Sequence, residues 1–240
     1  MRNDGRRVLG HALPAVLLLL GLAARTGQAG ASFEACDADT AARLSFLEQR
    51  LDERRTYADR WWKIWTGGYA LGTVVQSVRA GIEDDDGEQA DLVVGAAKAL
   101  FGTTRLLLWP PNARVGADPM RAVTPDSDAA CRERLAVGER LLRRNADESA
   151  SRWSWKRHLA NIAINVAGGV IVAEGFDESR GWTSAGIGVA VGETMTLTHP
   201  WTGEDDLEAY ERRFASVPPA TAPELRLGSW GRGLRISVLF

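Results

Sequence analysis

The chain has 240 residues, of which 45% are hydrophobic and 25% are charged. This balance excludes an intrinsically disordered protein, which carries fewer apolar residues, and the length suffices for one sizeable core or two smaller ones. A formal net charge of −2 argues against a nucleic-acid partner, because such partners usually bind a clustered basic face.

Residues 1–31 have the pattern of a signal peptide. The basic sequence MRNDGRR precedes an apolar stretch, and AGA at 29–31 supplies small residues at the spacing of a cleavage site. An uncleaved membrane anchor is the alternative, but the apolar stretch is short for a membrane span. We therefore expect an exported protein whose mature chain begins near Ser32.

The chain contains two cysteines, Cys36 and Cys131. Export would place them in an oxidising compartment, where two cysteines allow a single intramolecular pairing. We therefore predict a disulfide between Cys36 and Cys131. Two buried thiols, or a bridge between two chains, are the alternatives.

The halves of the chain show signs of an internal duplication. A shift of 90 residues pairs Trp65 with Trp155 and Pro110 with Pro200, and it aligns two acidic turns. Each half then has a charged segment, an apolar segment, an acidic turn and a second apolar segment. This order is expected of a duplicated supersecondary unit, and chance similarity is the alternative. The resulting division is a first repeat at 32–113, a Pro-containing linker at 114–126, a second repeat at 127–203 and a C-terminal tail at 204–240.

The charged segments are predicted to be amphipathic helices. In the first half, DADT at 37–40 provides capping residues, and apolar side chains recur every three or four positions over about seven turns. Arg54 interrupts this stripe, and Ser127 or Asp128 is the expected cap in the second half. Core packing is the expected role of the stripe, with a partner-binding face as the alternative. Its members are Leu44, Leu47, Leu51, Ala58, Trp61 and Trp65.

The apolar segments allow two interpretations. Residues 183–198 alternate between large and small side chains, which is the pattern of a half-buried strand. Their counterpart at 90–109 does not alternate, and its Leu92, Ala96 and Leu100 recur at helical spacing. Because duplicated halves share one fold, we predict helices for both segments.

Small residues recur four positions apart in the apolar segments. On a helix this spacing forms a stripe that lets a neighbouring backbone approach closely, which would offset the weak helix propensity of glycine. We therefore predict helical hairpins that pack through these positions. The residues assigned to this packing are Gly68, Gly72, Gly95, Ala99, Gly169, Gly188 and Gly192.

The apolar segments are about 16 to 20 residues long, close to the length of a membrane span. Charged side chains interrupt them, at a cost of about 2.5–3.5 kcal/mol each at the bilayer centre, so they are poor spans on their own. A packed bundle would lower this cost if Arg79 or Arg105 faced Glu193. Tryptophans at the segment ends suit either a membrane interface or the ends of a soluble core. They are Trp61, Trp62, Trp65, Trp109, Trp153, Trp155, Trp182 and Trp201.

The C-terminal tail ends in an alternating sequence. Leu234, Ile236, Val238 and Phe240 fall on one side of a strand. A terminal Phe on such a strand resembles the C-terminal signature of bacterial outer-membrane barrel proteins, but the sequence lacks the many further alternating segments of that class. We therefore predict one short β element that folds back on the domain.

Common motifs for a metal, a nucleotide or a catalytic nucleophile are missing from the sequence. We therefore assign no catalytic, cofactor-binding or metal-binding residue and no cofactor. The histidines offer two candidate acid/base pairs, His158 with Glu174 and His199 with Glu193. Two acidic runs lack the spacing of a calcium loop and are expected to be solvated turns; they lie at 83–86 and 204–206.

These patterns predict a mainly α fold. Two tandem helical-hairpin repeats, each a long amphipathic helix followed by two Gly/Ala-rich helices, would pack as a bundle with a short C-terminal β element. The expected function is that of an exported, bacterial-type cell-envelope protein with a non-enzymatic structural or binding role, associated with a membrane or with an envelope protein partner. A soluble periplasmic enzyme and a secreted membrane-perturbing protein are the alternatives.

Overall fold

The computed structural model describes residues 33, 35–214, 224–230 and 233–239. These residues are mainly helical, as predicted. The signal peptide and its cleavage site, predicted at 1–31, lie outside the described residues. The helices are α1 Ala38–Ala80, α2 Asp86–Leu108, α3 Asp118–Arg121, α4 Asp128–Arg152, α5 Trp155–Gly175, α6 Glu178–Leu197 and α7 Gly203–Phe214, with a short 3-10 helix at Asn112–Val115.

Helix α1 is much longer than the seven turns predicted for the first charged segment. Asp37 caps it, as the DADT sequence predicts, because its carboxylate accepts hydrogen bonds from the backbone N–H groups of Asp39 and Thr40. The helix then continues through the tryptophan-rich junction to Ala80. The first charged segment and the first apolar segment therefore form one helix, whereas a break at Trp153 and Ser154 separates α4 from α5.

The first half of α1 packs with the 3-10 helix, α3, α4 and α7, and we call this part of the chain the head. Its core forms because the leucine stripe of α1 faces the apolar side of α4 and the aromatic side of α7. Arg54, which interrupts the stripe, pairs with Asp206 of α7 instead of entering that core. The core residues are Leu44, Phe46, Leu47, Leu51, Ala117, Met120, Leu142 and Tyr210.

Cys36 and Cys131 lie at disulfide distance, as predicted. Their Sγ atoms are 2.01 Å apart and their Cα atoms 5.7 Å apart. Cys36 precedes α1 and Cys131 lies in the first turn of α4, so the pair joins the beginnings of the two long helices of the head.

Ion pairs with buried members join α1 to α7 and to α4 in the head. Nε and Nη2 of Arg54 donate to the two carboxylate oxygens of Asp206 at 2.8 and 3.0 Å. Asp206 is 4% exposed, so the prediction of a solvated turn at 204–206 is wrong at this residue. Arg134, also 4% exposed, pairs with Glu48 of α1.

The remaining helices form two antiparallel hairpins. Helix α2 returns along the second half of α1 after the turn at 81–85, and α6 returns along α5 after a two-residue turn. Helix α2 also contacts α5 and α6. We call residues 62–109 and 155–197 the hairpin region. The helical interpretation of 183–198 is confirmed, and the strand interpretation is wrong.

Two ranges differ in detail from their sequence description. The predicted linker at 114–126 contains α3, where Met120 is fully buried in the head core. In the tail, β1 Glu224–Trp230 pairs antiparallel with β2 Gly233–Leu239, with Glu224 opposite Leu239. The folding back of this element on the domain stays a prediction.

Replacing Arg54 by Met should lower the free energy of unfolding by about 3 kcal/mol, because the buried Asp206 carboxylate then lacks its partner. Arg212→Met is the matched control. Arg212 pairs with Glu208 on α7, the helix that carries Asp206, but Arg212 is 59% exposed. Exposed ion pairs contribute less than about 1 kcal/mol to stability. Urea unfolding in neutral detergent, followed by tryptophan fluorescence, measures both. Equal losses in the two variants would contradict the importance of this pair.

Candidate functional site

The outer surface of the hairpin region is apolar. Leu71 is 65% exposed, Val74 60% and Ile171 59%, although side chains of this kind are normally buried. Among residues 33 and 35–214, the exposed large apolar side chains outside this region are Tyr57, Val115 and Trp153. A large exposed apolar surface marks an interaction site. Its members outside the space between the hairpins include Ile64, Leu71, Val74, Val75, Val78, Val93, Leu100, Leu107, Leu159, Ile162, Val170, Ile171 and Leu197.

Tryptophans gather where the hairpin region meets the head. The indole N–H of Trp61 donates to Thr198 Oγ1 at 3.1 Å, and that of Trp62 donates to the Leu106 carbonyl at 2.8 Å. Trp153 packs edge-on against Trp201 with ring centroids 4.8 Å apart. We call this group the tryptophan belt; its members are Trp61, Trp62, Trp65, Trp109, Trp153, Trp155 and Trp201.

Acidic turns lie at the opposite end of the hairpin region. Arg79 pairs with Glu88 across the first turn, and Arg180 of the second hairpin lies 3.5 Å from the same carboxylate. The two turns thus meet through one shared glutamate. The run at 83–86 forms part of this polar end, and Trp182 lies near it at the beginning of α6.

Polar groups of the second hairpin satisfy one another between α5 and α6. His158 Nδ1 lies 2.6 Å from Glu193 Oε2, and Asn161 Nδ2 donates to Glu193 Oε1 at 2.8 Å. Asn165 in turn donates to Asn161 at 2.9 Å. The predicted pairing of Glu193 with Arg79 or Arg105 is therefore wrong, because the Glu193 carboxylate contacts His158 and Asn161 instead.

Backbone contact between α5 and α6 is closest at Gly169 and Gly181. A Cβ atom added at Gly169 would lie 2.6 Å from Ala185 Cβ and 2.7 Å from the Gly181 carbonyl. A Cβ at Gly181 would overlap the backbone at Ala173. The sequence analysis assigned Gly169 but missed Gly181, although Gly181 lies four residues before Ala185 and continues the same spacing.

The next glycines accommodate amide side chains rather than a backbone. Gly188 and Gly192 face the side chains of Asn165 and Asn161, respectively, and a Cβ atom at either glycine would overlap them. In the first hairpin Gly95 faces Gln76 in the same way. Polar side chains of one helix therefore fit against glycines of its partner in both hairpins.

The other assigned small residues have looser surroundings. Gly72 makes ordinary contact, since a Cβ atom there would lie 3.8 Å from Ala99 Cβ. A Cβ atom at Gly68 would have no neighbour within 4 Å. Gly68 therefore does not mediate close helix packing, and it borders open space between the hairpins.

Glu148 and His199 meet at the junction of the head and the hairpin region. Burial raises the pKa of a carboxyl, but His199, Arg152 and the backbone N–H of Asn112 together lower the pKa of Glu148 to about 2. Burial lowers the pKa of His199, which is 3% exposed between Trp61 and Trp201. At neutral pH Glu148 is therefore an ionised carboxylate and His199 a neutral imidazole.

The two candidate acid/base pairs are wrong. His158 contacts Glu193 rather than Glu174, and His199 Nε2 lies 3.7 Å from Glu148 Oε1 rather than beside Glu193. Among the described residues no group of three or more His, Cys, Asp or Glu side chains could hold a metal ion.

Comparison of the chain with protein families, with curated proteins and with solved structures finds no match. By length and composition, one helix of the described residues, α5, could cross a membrane, and 22% of its most apolar stretch is buried.

Replacing Gly169 by Leu should lower the free energy of unfolding by about 2 kcal/mol, because the added side chain forces α5 and α6 apart. Gly186→Leu is the matched control: it makes the same chemical change in α6, but nothing lies within 4 Å of its added Cβ. Thermal unfolding in neutral detergent, followed by circular dichroism, compares the two. A Gly169→Leu protein as stable as the control would refute close packing at this position.

Proposed function

We propose that the chain is an exported cell-envelope protein whose hairpin region lies in a lipid bilayer and whose head projects from it. The role is structural or binding rather than enzymatic. The observation that carries the proposal is the set of exposed large apolar side chains on all four helices of the hairpins, between the acidic turns and the tryptophan belt.

The dimensions of the hairpin region suit a bilayer. Helices α2, α5 and α6 have 23, 21 and 20 residues, which correspond to about 30–35 Å at 1.5 Å per residue. The hydrocarbon core of a bilayer is about 30 Å thick. The part of α1 within the hairpin region, residues 62–80, is about 28 Å long by the same rise, so four helices of comparable length form the hairpin region.

Lipid accounts for the outer surface better than a protein partner does. Protein interfaces are usually confined patches with a polar rim, whereas exposed apolar side chains occur here on all four helices. Tryptophans at the boundary of such a surface are typical of a membrane–water interface, where the ring is buried and the indole N–H is hydrogen-bonded.

The polar groups of the hairpins are compatible with this environment because many of them are paired between helices. His158, Glu193 and Asn161 form one network close to the tryptophan belt. Arg79 and Glu88 pair at the other end. Helices that are individually too polar for insertion could therefore enter as a packed hairpin, with fewer unsatisfied groups facing lipid.

We also propose that the hairpins arose by duplication. Under the 90-residue shift, α2 falls on α6, and α1 falls on α4 together with α5. Both hairpins place an amide side chain against a glycine of the partner helix. The break at Trp153 and Ser154 is then a difference acquired by the second copy.

The head, with its buried ion pairs, is the part available to an envelope protein partner.

Fractionation of cells that express the full chain tests the membrane role. The protein should remain with the membranes after alkaline carbonate extraction and should be released by detergent, because its outer surface is covered by lipid. Val74→Glu combined with Leu100→Glu should reduce the membrane-bound fraction at least tenfold, since both side chains lie on the apolar surface of the hairpin region and are 60% and 55% exposed.

Val115→Glu is the matched control, because Val115 is 44% exposed but belongs to the head. This variant should fractionate like the parent protein. Full release of the parent protein by carbonate would contradict the proposal, as would equal behaviour of the control and the double variant.

A further inference from the structure

A cavity of about 520 Å³ lies between the two hairpins, within the range of small-molecule sites. Its lining contains apolar side chains such as Phe101, Ile187 and Val191, and Gly68 borders the same open space. It also contains basic side chains, and in the described residues no Asp or Glu contributes to the lining.

Two basic side chains of the lining, Arg105 and Arg157, are not neutralised within the described chain, whereas Arg152 pairs with Glu148. Arg105 lies near the end of α2 and Arg157 in the first turn of α5, and neither has an ion pair or a side-chain hydrogen bond among the described residues. Arg105 instead experiences the like charges of Arg152 and Arg157. Lys98, two turns deeper on α2, adds a further positive charge to the lining. Like charges held together beside an apolar surface are costly without an anion.

His199 supplies a second, independent sign of a missing ligand. It lines the same cavity and is 3% exposed, yet neither ring nitrogen has a hydrogen-bond partner among the described residues. A buried polar group without a partner is rare in native proteins. An oxygen-bearing ligand at this end of the cavity would provide one.

We propose that this cavity binds one anionic phospholipid, whose phosphate lies between Arg105 and Arg157 and whose acyl chains extend along the lining past Val191 toward Ile187. Both arginines lie near the tryptophan belt, which is the depth of a lipid headgroup in the proposed bilayer orientation. Basic pockets between membrane helices commonly bind such headgroups. The inference rests on the proposed membrane role and identifies a ligand for it.

Binding is measurable on the purified full chain in neutral detergent by native mass spectrometry, with phosphatidylglycerol as the probe. The protein should retain one phosphatidylglycerol and at least tenfold less phosphatidylcholine. Arg105→Gln combined with Arg157→Gln should weaken phosphatidylglycerol binding at least tenfold. Arg132→Gln combined with Arg143→Gln, an equal change of charge at exposed positions of α4, should leave binding unchanged.

A second pair of variants tests occupation of the cavity without touching a charge. Gly68→Phe should fill the cavity and weaken phosphatidylglycerol binding. Gly67→Phe, at the neighbouring position, should not, because Gly67 also has nothing within 4 Å of an added Cβ but does not line the cavity. Circular dichroism verifies that all variants keep the parent helix content.

Equal retention of the two lipids, or equal losses in the Arg132/Arg143 and Arg105/Arg157 variants, would overturn the proposal. Glycerol phosphate that competes as well as the lipid would show a site for a free anion and would overturn the assignment of a lipid. The membrane role is judged separately: a carbonate-resistant protein that retains no phosphatidylglycerol refutes the cavity proposal alone, whereas a carbonate-soluble protein that retains it refutes the membrane role alone.

Discussion

The packing of glycine against polar or small side chains inside the hairpins is the constraint on which the rest of the structure depends. Gly169 and Gly181 bring the backbones of α5 and α6 together, and Gly188 and Gly192 make room for two asparagine side chains. Because small and amide groups fill much of the interior, many large apolar side chains face outward, although Leu92, Leu106 and Val172 are buried. This distribution is the reverse of that in the head, where leucine and phenylalanine are buried.

The head and the hairpin region therefore bury different kinds of side chain, although one continuous helix, α1, runs through both. Up to Trp61, α1 buries its leucines against α4 and α7, and its charged residues pair across the head. Beyond the tryptophan belt the same helix exposes Leu71 and Val74. Since α1 does not break between the two parts, the orientation of the head on the hairpin region is fixed by the helix itself. The Cys36–Cys131 pair then holds α4 to the outer end of that helix.

Local sequence patterns predicted much of the fold, but they did not predict which residues pair over long distances in the chain. The cap at Asp37, the leucine stripe and the glycine spacing each depend on a few neighbouring residues, so they predicted the helices and part of their packing. The partner of Glu193 depends on how far α5 rotates against α6, which no local pattern encodes, and the predicted arginine partners were wrong. Gly181 was not assigned to helix packing because the alignment of the two halves placed it in the second acidic turn, residues 173–181. The space beside Gly68 arises only when both hairpins are in place, so the spacing of small residues could not distinguish a contact from a cavity wall.

The accessibility of a nitroxide spin label, attached to a cysteine that replaces Val74, tests the central claim most directly. The measurement uses the full chain with its native cysteine pair intact, reconstituted in phospholipid vesicles, and a second label at the exposed Arg132 of the head for comparison. Because Val74 faces outward from the middle of the hairpin region, its label should collide frequently with oxygen, which dissolves in lipid, and rarely with a water-soluble nickel chelate. The label at Arg132 should show the opposite preference. High accessibility to the nickel chelate at Val74, equal to that at Arg132, would show that the apolar surface faces water or a solvated interface and would contradict the account.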